Sequence, residues 1–221
     1  NLNPNLFFKG YYAYGFKDHR SKGMAEVEYS FDKKEYLPRE FPKHSITGTF
    51  KYDVIAPTDK FLKTDKDNVF TSFKTTTVDQ MMYERDISLK YERETEYGLK
   101  TTIQLRNTND EPTGKLVYLR NNAERTLVRD ITTTEASLSF RYAPGETFIN
   151  TKQRRIPVSL DAPVFTLSHT TGFKGVLGGE YNYNLTEAGI YKRFWFSSWG
   201  KIDCYIKGGA QWNKVPFPML I

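Results

Sequence analysis

In eight stretches of the chain every second residue is uncharged and mostly apolar. Leu6, Phe8, Gly10, Tyr12, Tyr14 and Phe16 make one face of the first, and Phe7, Lys9, Tyr11, Ala13, Gly15 and Lys17 the other. The remaining apolar faces read Ala25-Val27-Tyr29-Phe31, Ile46-Gly48-Phe50-Tyr52-Val54, Ile87-Leu89-Tyr91, Leu99-Thr101-Ile103-Leu105, Ala136-Leu138-Phe140-Tyr142, Leu177-Gly179-Tyr181-Tyr183-Leu185 and Ile202-Cys204-Ile206-Gly208-Ala210-Trp212. Successive side chains of a strand point to opposite faces, so this period of two predicts strands with one apolar and one polar side. Weaker strands are predicted at Val69–Thr75, Lys115–Arg120, Val164–His169 and Ile190–Phe196, about twelve in all; Thr76–Arg85 is the one weakly helical stretch.

The opposite faces carry Lys9, Lys17, Glu26, Glu28, Lys51, Asp53, Lys90, Glu92, Glu94, Lys100, Arg106, Glu135, Arg141, Glu180, Lys201, Asp203 and Lys207. A soluble antiparallel sheet alternates too, so length and aromatic content have to decide. Soluble strands usually stop near five or six residues, whereas a tilted strand crossing a bilayer needs about nine to eleven. Several stretches reach that length, and Tyr, Phe and Trp recur near their ends, where interfacial girdles sit. The fold expected is an all-β, antiparallel transmembrane β-barrel. The polar set becomes its lumen-facing lining, with Glu26/Glu28 and Glu92/Glu94 meeting Lys or Arg of neighbouring strands rather than doing acid–base chemistry.

Composition sharpens this. Of 221 residues 38% are hydrophobic, with 15 Tyr and 16 Phe, but no apolar run approaches the eighteen residues of a membrane helix. Barrel strands dilute their apolar residues with lumen residues, so a mean hydropathy of −0.61 does not count against them. The net charge of +6 comes from dispersed Lys and Arg with no basic stripe, which argues against nucleic acid. The strand-borne charges, nine basic and eight acidic, nearly balance, so pairing across the lumen is expected rather than a strongly ion-selective pore.

Turn chemistry predicts a tight hairpin at Thr95-Glu96-Tyr97-Gly98 and longer connections at 32–44, 56–68, 107–114, 121–129 and 143–161. One domain, 1–221, is the simplest organisation. The final Pro216–Ile221 reads as a connection or a further strand, so the sequence is expected to be a piece of a larger barrel.

The runs Gly15-Phe16-Lys17-Asp18, Tyr36–His44, Arg141–Asn150 and Tyr191–Gly200 resemble an uncharacterised outer-membrane family of the Bacteroidota, in which a carboxypeptidase-regulatory-like domain precedes a large barrel. The resemblance implies an outer-membrane location, an N-terminal periplasmic domain and further C-terminal strands outside this stretch, and no peptidase activity. That barrel is distantly similar to surface-antigen barrels that assemble or translocate outer-membrane proteins, although their Arg-Gly-Phe loop motif does not occur in residues 1–221.

Candidate chemistry is sparse. His19, His44 and His169 are scattered without ligand spacing, Ser168 and His169 fall on opposite faces of one strand, and no nucleophile elbow or phosphate loop occurs. Cys204 is the sole cysteine and reads as a small hydrophobe on an apolar face. Lys152, Arg154 and Arg155 read as a solvated loop, with phosphorylated headgroups as the alternative. Gly10, Gly48, Gly179 and Gly208 on apolar faces read as points of curvature. The expected function is therefore non-enzymatic and needs no cofactor: an outer-membrane barrel of an envelope assembly, translocation or transport system, in contact with lipid and envelope proteins. The alternative is a soluble or surface-attached all-β module that binds glycan or protein.

Overall fold

Nine of the strands join in a single antiparallel sheet in the computed structural model, which describes residues 3–56, 80–119, 126–158 and 162–215. In chain order the strands are β1 (Leu6–Gly15), β2 (Arg20–Ser30), β3 (His44–Ile55), β4 (Gln80–Glu94), β5 (Leu99–Gly114), β6 (Tyr118–Leu119), β7 (Leu127–Val128), β8 (Ile131–Tyr142), β9 (Phe148–Asn150), β10 (Arg155–Pro157), β11 (Val164–Gly172), β12 (Tyr183–Trp195) and β13 (Lys201–Gln211). The sheet order is β1-β2-β3-β4-β5-β8-β11-β12-β13, while β6–β7 and β9–β10 form two small hairpins. β1 and β13 stand at its edges, and no pairing closes the sheet among the described residues.

The register confirms the two faces read from the alternation. One row across the sheet runs Glu26, Thr49, Ser88, Arg106, Glu135, Gly172, Tyr183, and its neighbour runs Glu28, Thr47, Lys90, Gln104, Ser137, Thr170, Leu185. Rows of the opposite parity hold Phe8, Val27, Gly48, Leu89, Leu105 and Ala136. The connections at 31–43, 95–98, 143–163 and 196–200 gather at the end where β1 starts, called the proximal end below. Those at 16–19, 115–130 and 173–182 gather at the distal end.

Three sequence expectations are corrected here. First, 107–114 is not a loop but the distal half of β5, paired with 80–87 of β4, so the described part of the weakly helical stretch is strand as well. Polar side chains replace apolar alternation there. Asn107 Nδ2 donates to Thr134 Oγ1 at 2.8 Å, the Thr108 and Thr133 hydroxyls meet at 2.6 Å, and Asn109 Nδ2 donates to Thr132 Oγ1 at 2.9 Å. Pro112 is tolerated because it lies beyond the end of β8, where β5 is a local edge.

Second, the apolar face predicted over Leu177–Leu185 is not a strand face. Residues 173–182 form a connection with positive φ at Gly175, Leu177 and Gly178, which breaks the parity count, and 183–195 is one strand rather than parts of two. Tyr183 and Leu185 consequently lie on the polar face. Third, Lys115–Arg120 contributes only the two residues of β6. The predicted strand Val69–Thr75 and much of the 56–68 and 121–129 connections lie outside the described residues.

The 95–98 hairpin is as expected. Gly98 sits at φ 82°, and a Cβ there would meet the Ala143 carbonyl oxygen at 2.0 Å, an atom close to the one that makes Gly98 O the acceptor of Ala143 N–H at 2.9 Å. Gly98→Ala is expected to cost at least about 1–3 kcal/mol of unfolding free energy through this turn, read from the denaturant midpoint. A neutral result would show that the β4–β5 turn can be rebuilt without cost.

Candidate functional site

Burial is inverted relative to a soluble domain. On one face Phe8 is 64% exposed, Leu105 54% and Ile206 74%; on the other Glu28 is 7% exposed, Glu84 4% and Glu92 5%. A bare single sheet would expose both faces equally, so the charged face is the one that is covered. Charges there are buried only with partners, since an unpaired buried ion is very costly.

The partners form two clusters. In the middle of the sheet the Arg106 guanidinium donates from Nε to Asp86 Oδ2 at 2.9 Å, with Nη2 in ion-pair contact with the same oxygen at 2.8 Å, and lies 3.6 Å from Glu84 and 3.7 Å from Glu135. Glu135 also accepts the Tyr183 hydroxyl. Lys51 reaches Glu84 at 3.9 Å. At the proximal end Lys43 Nζ sits 3.1 Å from Glu28 and 2.7 Å from Glu92, and Glu92 also meets Lys100 at 2.7 Å and Lys90 at 3.1 Å.

Both ends of this face are covered. At the distal end fully buried Met82 packs with Tyr118 and Ile131, against Ile55, Leu116, Val128 and Tyr181, and the Tyr118 hydroxyl donates to its sulfur at 3.1 Å. The small hairpin β6–β7 thereby lies over the inner side of β4. At the proximal end the 31–43 connection meets the β9–β10 hairpin across the two intervening strands β4 and β5. Arg155 Nη1 donates to both oxygens of Glu94, at 3.0 and 2.7 Å, with its guanidinium 3.5 Å over the Phe148 ring and 5.1 Å from Phe41. Asn150 exchanges hydrogen bonds with the Phe41 backbone at 2.9 and 2.8 Å, and Arg39 donates to the Gln153 carbonyl at 3.1 Å.

The 31–43 connection is braced from within. The Glu40 carboxylate accepts the backbone N–H groups of Glu35 (2.9 Å), Leu37 (2.6 Å) and Tyr36, and buried Lys34 donates from Nζ to the carbonyls of Glu40 (3.3 Å) and Pro42 (2.6 Å). Burial opposes ionisation of Glu40, but the N–H groups of Leu37, Glu35 and Tyr36 hold its carboxyl below the usual carboxylate range. A depressed folded pKa contributes stability above the unfolded value, near 4.3, that is lost as pH falls through the folded value. The 33–42 segment is therefore expected to loosen in acid below about pH 4. Glu40→Gln should loosen it at neutral pH, by about 1–3 kcal/mol, and abolish the acid step. Amide exchange of this segment against pH checks both; an unchanged acid step in the variant would shift the cause elsewhere.

Of the residues expected to line the lumen, Glu26, Glu28, Lys51, Asp53, Lys90, Glu92, Lys100, Arg106, Glu135 and Arg141 share the inner face by register. Lys201, Asp203 and Lys207 share it on the edge strand β13, where they remain exposed. Glu180 does not: it lies in the 173–182 connection, where its N–H and carboxylate bond the backbone of Thr132, both at 3.1 Å. Sequence reasoning missed Lys43, which the 31–43 connection carries onto the buried carboxylates, and read Arg155, the first residue of β10, as part of a solvated loop. It also missed Glu84, Asp86 and Asp110, whose parity with Lys90 and Glu92 is hidden by the helical reading of 76–85 for Glu84, by the start of the apolar set at Ile87 for Asp86, and by the loop reading of 107–114 for Asp110. His44 meets the Tyr91 hydroxyl at 3.1 Å and His169 the Thr186 hydroxyl at 2.9 Å. Among the described residues no three His, Cys, Asp or Glu side chains gather as a metal site.

A family model described as "Family of unknown function (DUF5686) C-terminal domain" matches residues 2–217. The chain belongs to that family. The inner-face clusters and both covering hairpins thus lie within the DUF5686 C-terminal domain. No curated protein and no solved structure matches the chain.

Proposed function

We propose that this DUF5686 C-terminal domain is the membrane-embedded sheet of an outer-membrane β-barrel, serving an envelope assembly, translocation or transport system by shape and strand pairing rather than by bond chemistry. The observation that carries the reading is the inverted polarity: an exposed apolar face and a buried, ion-paired opposite face on one sheet. Water-soluble sheets bury the apolar face instead.

Dimensions support it. The nine sheet strands run from 9 residues in β11 to 16 in β5, at or above the length a tilted crossing needs. The apolar belt is oblique to the ladder rows. Its midpoint in β1 is Tyr11, whose row reaches β8 at Thr133, yet the β8 set 136–142 centres on Ser139, six residues nearer the proximal end. Six residues over five strand steps, at about 3.4 Å per residue and about 4.8 Å per step, is a tilt of roughly 40°. Membrane barrels tilt their strands by about 35–45°. Exposed aromatics stand at both ends, Tyr12, Tyr14 and Phe16 distally, Tyr97, Phe194 and Trp199 proximally, as interfacial girdles do.

The full-length protein is expected to fractionate with the outer membrane, to need detergent for extraction, and to migrate faster on a gel when unheated than when boiled. A soluble, monodisperse protein with no heat-dependent shift would reject the membrane reading in favour of a binding module whose aromatic face meets glycan or protein.

A further inference from the structure

All eight ladders of the main sheet are antiparallel, so direction alternates strand by strand and the first and ninth, β1 and β13, run the same way. Among the described residues neither has a partner on its far side, so both are long edges. Residues 201–210 of β13 are all exposed, as are 8–14 of β1. Unpaired N–H and C=O groups are not tolerated in hydrocarbon, so on the membrane reading, on which this inference rests, both edges must be covered. Direct β1–β13 pairing would be parallel within an otherwise antiparallel sheet. We propose that the two edges are bridged instead by an odd number of further antiparallel strands of the same protein, giving a closed sheet with an even strand total.

The edges also specify what those strands carry. β13 ends at the distal end and β1 begins at the proximal end, so one strand, or three, entered by a hairpin after Gln211 and leaving beside Leu6, satisfies both edges in register. The seam's outer face shows Ile202, Cys204 and Ile206 on one side and Phe8 and Tyr12 on the other, so the bridging strands continue the belt with apolar residues at every second position. The inner face at the seam shows Lys9, Lys201 and Lys207 against Asp203. Carboxylates are expected at inward positions of the bridge, as on the neighbouring strands where Glu187 meets Lys207.

Cys204 is the sole cysteine of this sequence and serves as one half of the test once any cysteine outside residues 1–221 is replaced by serine. In the full-length protein, purified in detergent as a single chain, cysteines are placed one at a time on the outer face of β1 (Phe8→Cys, Gly10→Cys, Tyr12→Cys, Tyr14→Cys) opposite native Cys204, and oxidation is followed by gel mobility. One intervening strand separates the edges by about 9.6 Å, beyond disulfide reach. The expected result is no cross-link at any position, together with amide exchange of 6–15 and 201–211 as slow as that of β4. A cross-link would mean direct parallel closure and overturn the proposal. Edges exchanging as fast as loops would overturn it too, because the covering strands would then belong to another chain or be absent. Slow edges in a protein with no heat-dependent gel shift would leave the bridge standing while the membrane reading falls.

Discussion

Replacing Arg106 with Met is expected to lower the unfolding free energy by about 3–5 kcal/mol, because it strands a group of carboxylates in a buried place. The guanidinium donates from Nε to Asp86, is ion-paired to it through Nη2, and stands within 3.7 Å of Glu84 and Glu135. Glu84 lies almost wholly out of solvent, so without the cation it must protonate or drag in water. Removal of one partner is what costs stability; an apolar core of the same volume would need neither. Adding Glu84→Gln and Asp86→Asn to Arg106→Met should recover at least half of the loss, since neutral amides no longer need the counter-charge. Denaturant unfolding in micelles, followed by tryptophan fluorescence, reads both variants. A single-variant loss below about 1 kcal/mol would place the cluster in a well-solvated lumen, where exposed pairs contribute little.

Arg155→Ala is expected to act locally instead. It removes two charge-assisted bonds to Glu94 and the stacking of the guanidinium on Phe148, contributions of about 1.5–3 and about 0.5–2 kcal/mol. Undocking of the β9–β10 hairpin from the 31–43 connection should become at least about thirtyfold more frequent, at 1.4 kcal/mol per factor of ten. Exchange or limited proteolysis of 147–158 would register it, with the unfolding midpoint of the sheet nearly unmoved. Arg155→Lys should recover part of the effect, keeping the charge while losing the planar contact over Phe148. If the variant hairpin is as protected as the native one, the Asn150–Phe41 bonds hold it and Arg155 is dispensable.

Legibility followed the alternation. Where one face was apolar, as in Ala25–Phe31 or Ala136–Tyr142, strand, parity and inward charges such as Glu28 and Arg141 could all be read from residue types. Legibility failed where polar side chains took over the pairing, as Asn107 to Asp110 do against 131–134, because hydroxyl and amide bonds leave no period in hydropathy. It failed again at 173–182, where residues with positive φ reset the parity and sent Tyr183 inward. The partners of Glu92 and Glu94 were only half visible. Lys90 shares β4 with both glutamates and Lys100 lies on the adjacent β5, but Lys43 and Arg155 arrive from the 31–43 connection and the β9–β10 hairpin, whose docking is a tertiary event with no local signature.

The spacing of the apolar belt has a consequence for how such a protein reaches its site. No helix among the described residues is long and apolar enough to span a bilayer, since each apolar residue of the belt is followed by one of the inner face. On the outer-membrane reading, an unfolded chain of this kind offers an inner-membrane translocation channel nothing to hold back, and it crosses the first membrane as an ordinary hydrophilic export substrate. Only when ladder pairing brings Phe8, Val27 and Leu89 side by side does a surface form that prefers lipid. On that reading, folding decides in which membrane the chain stops.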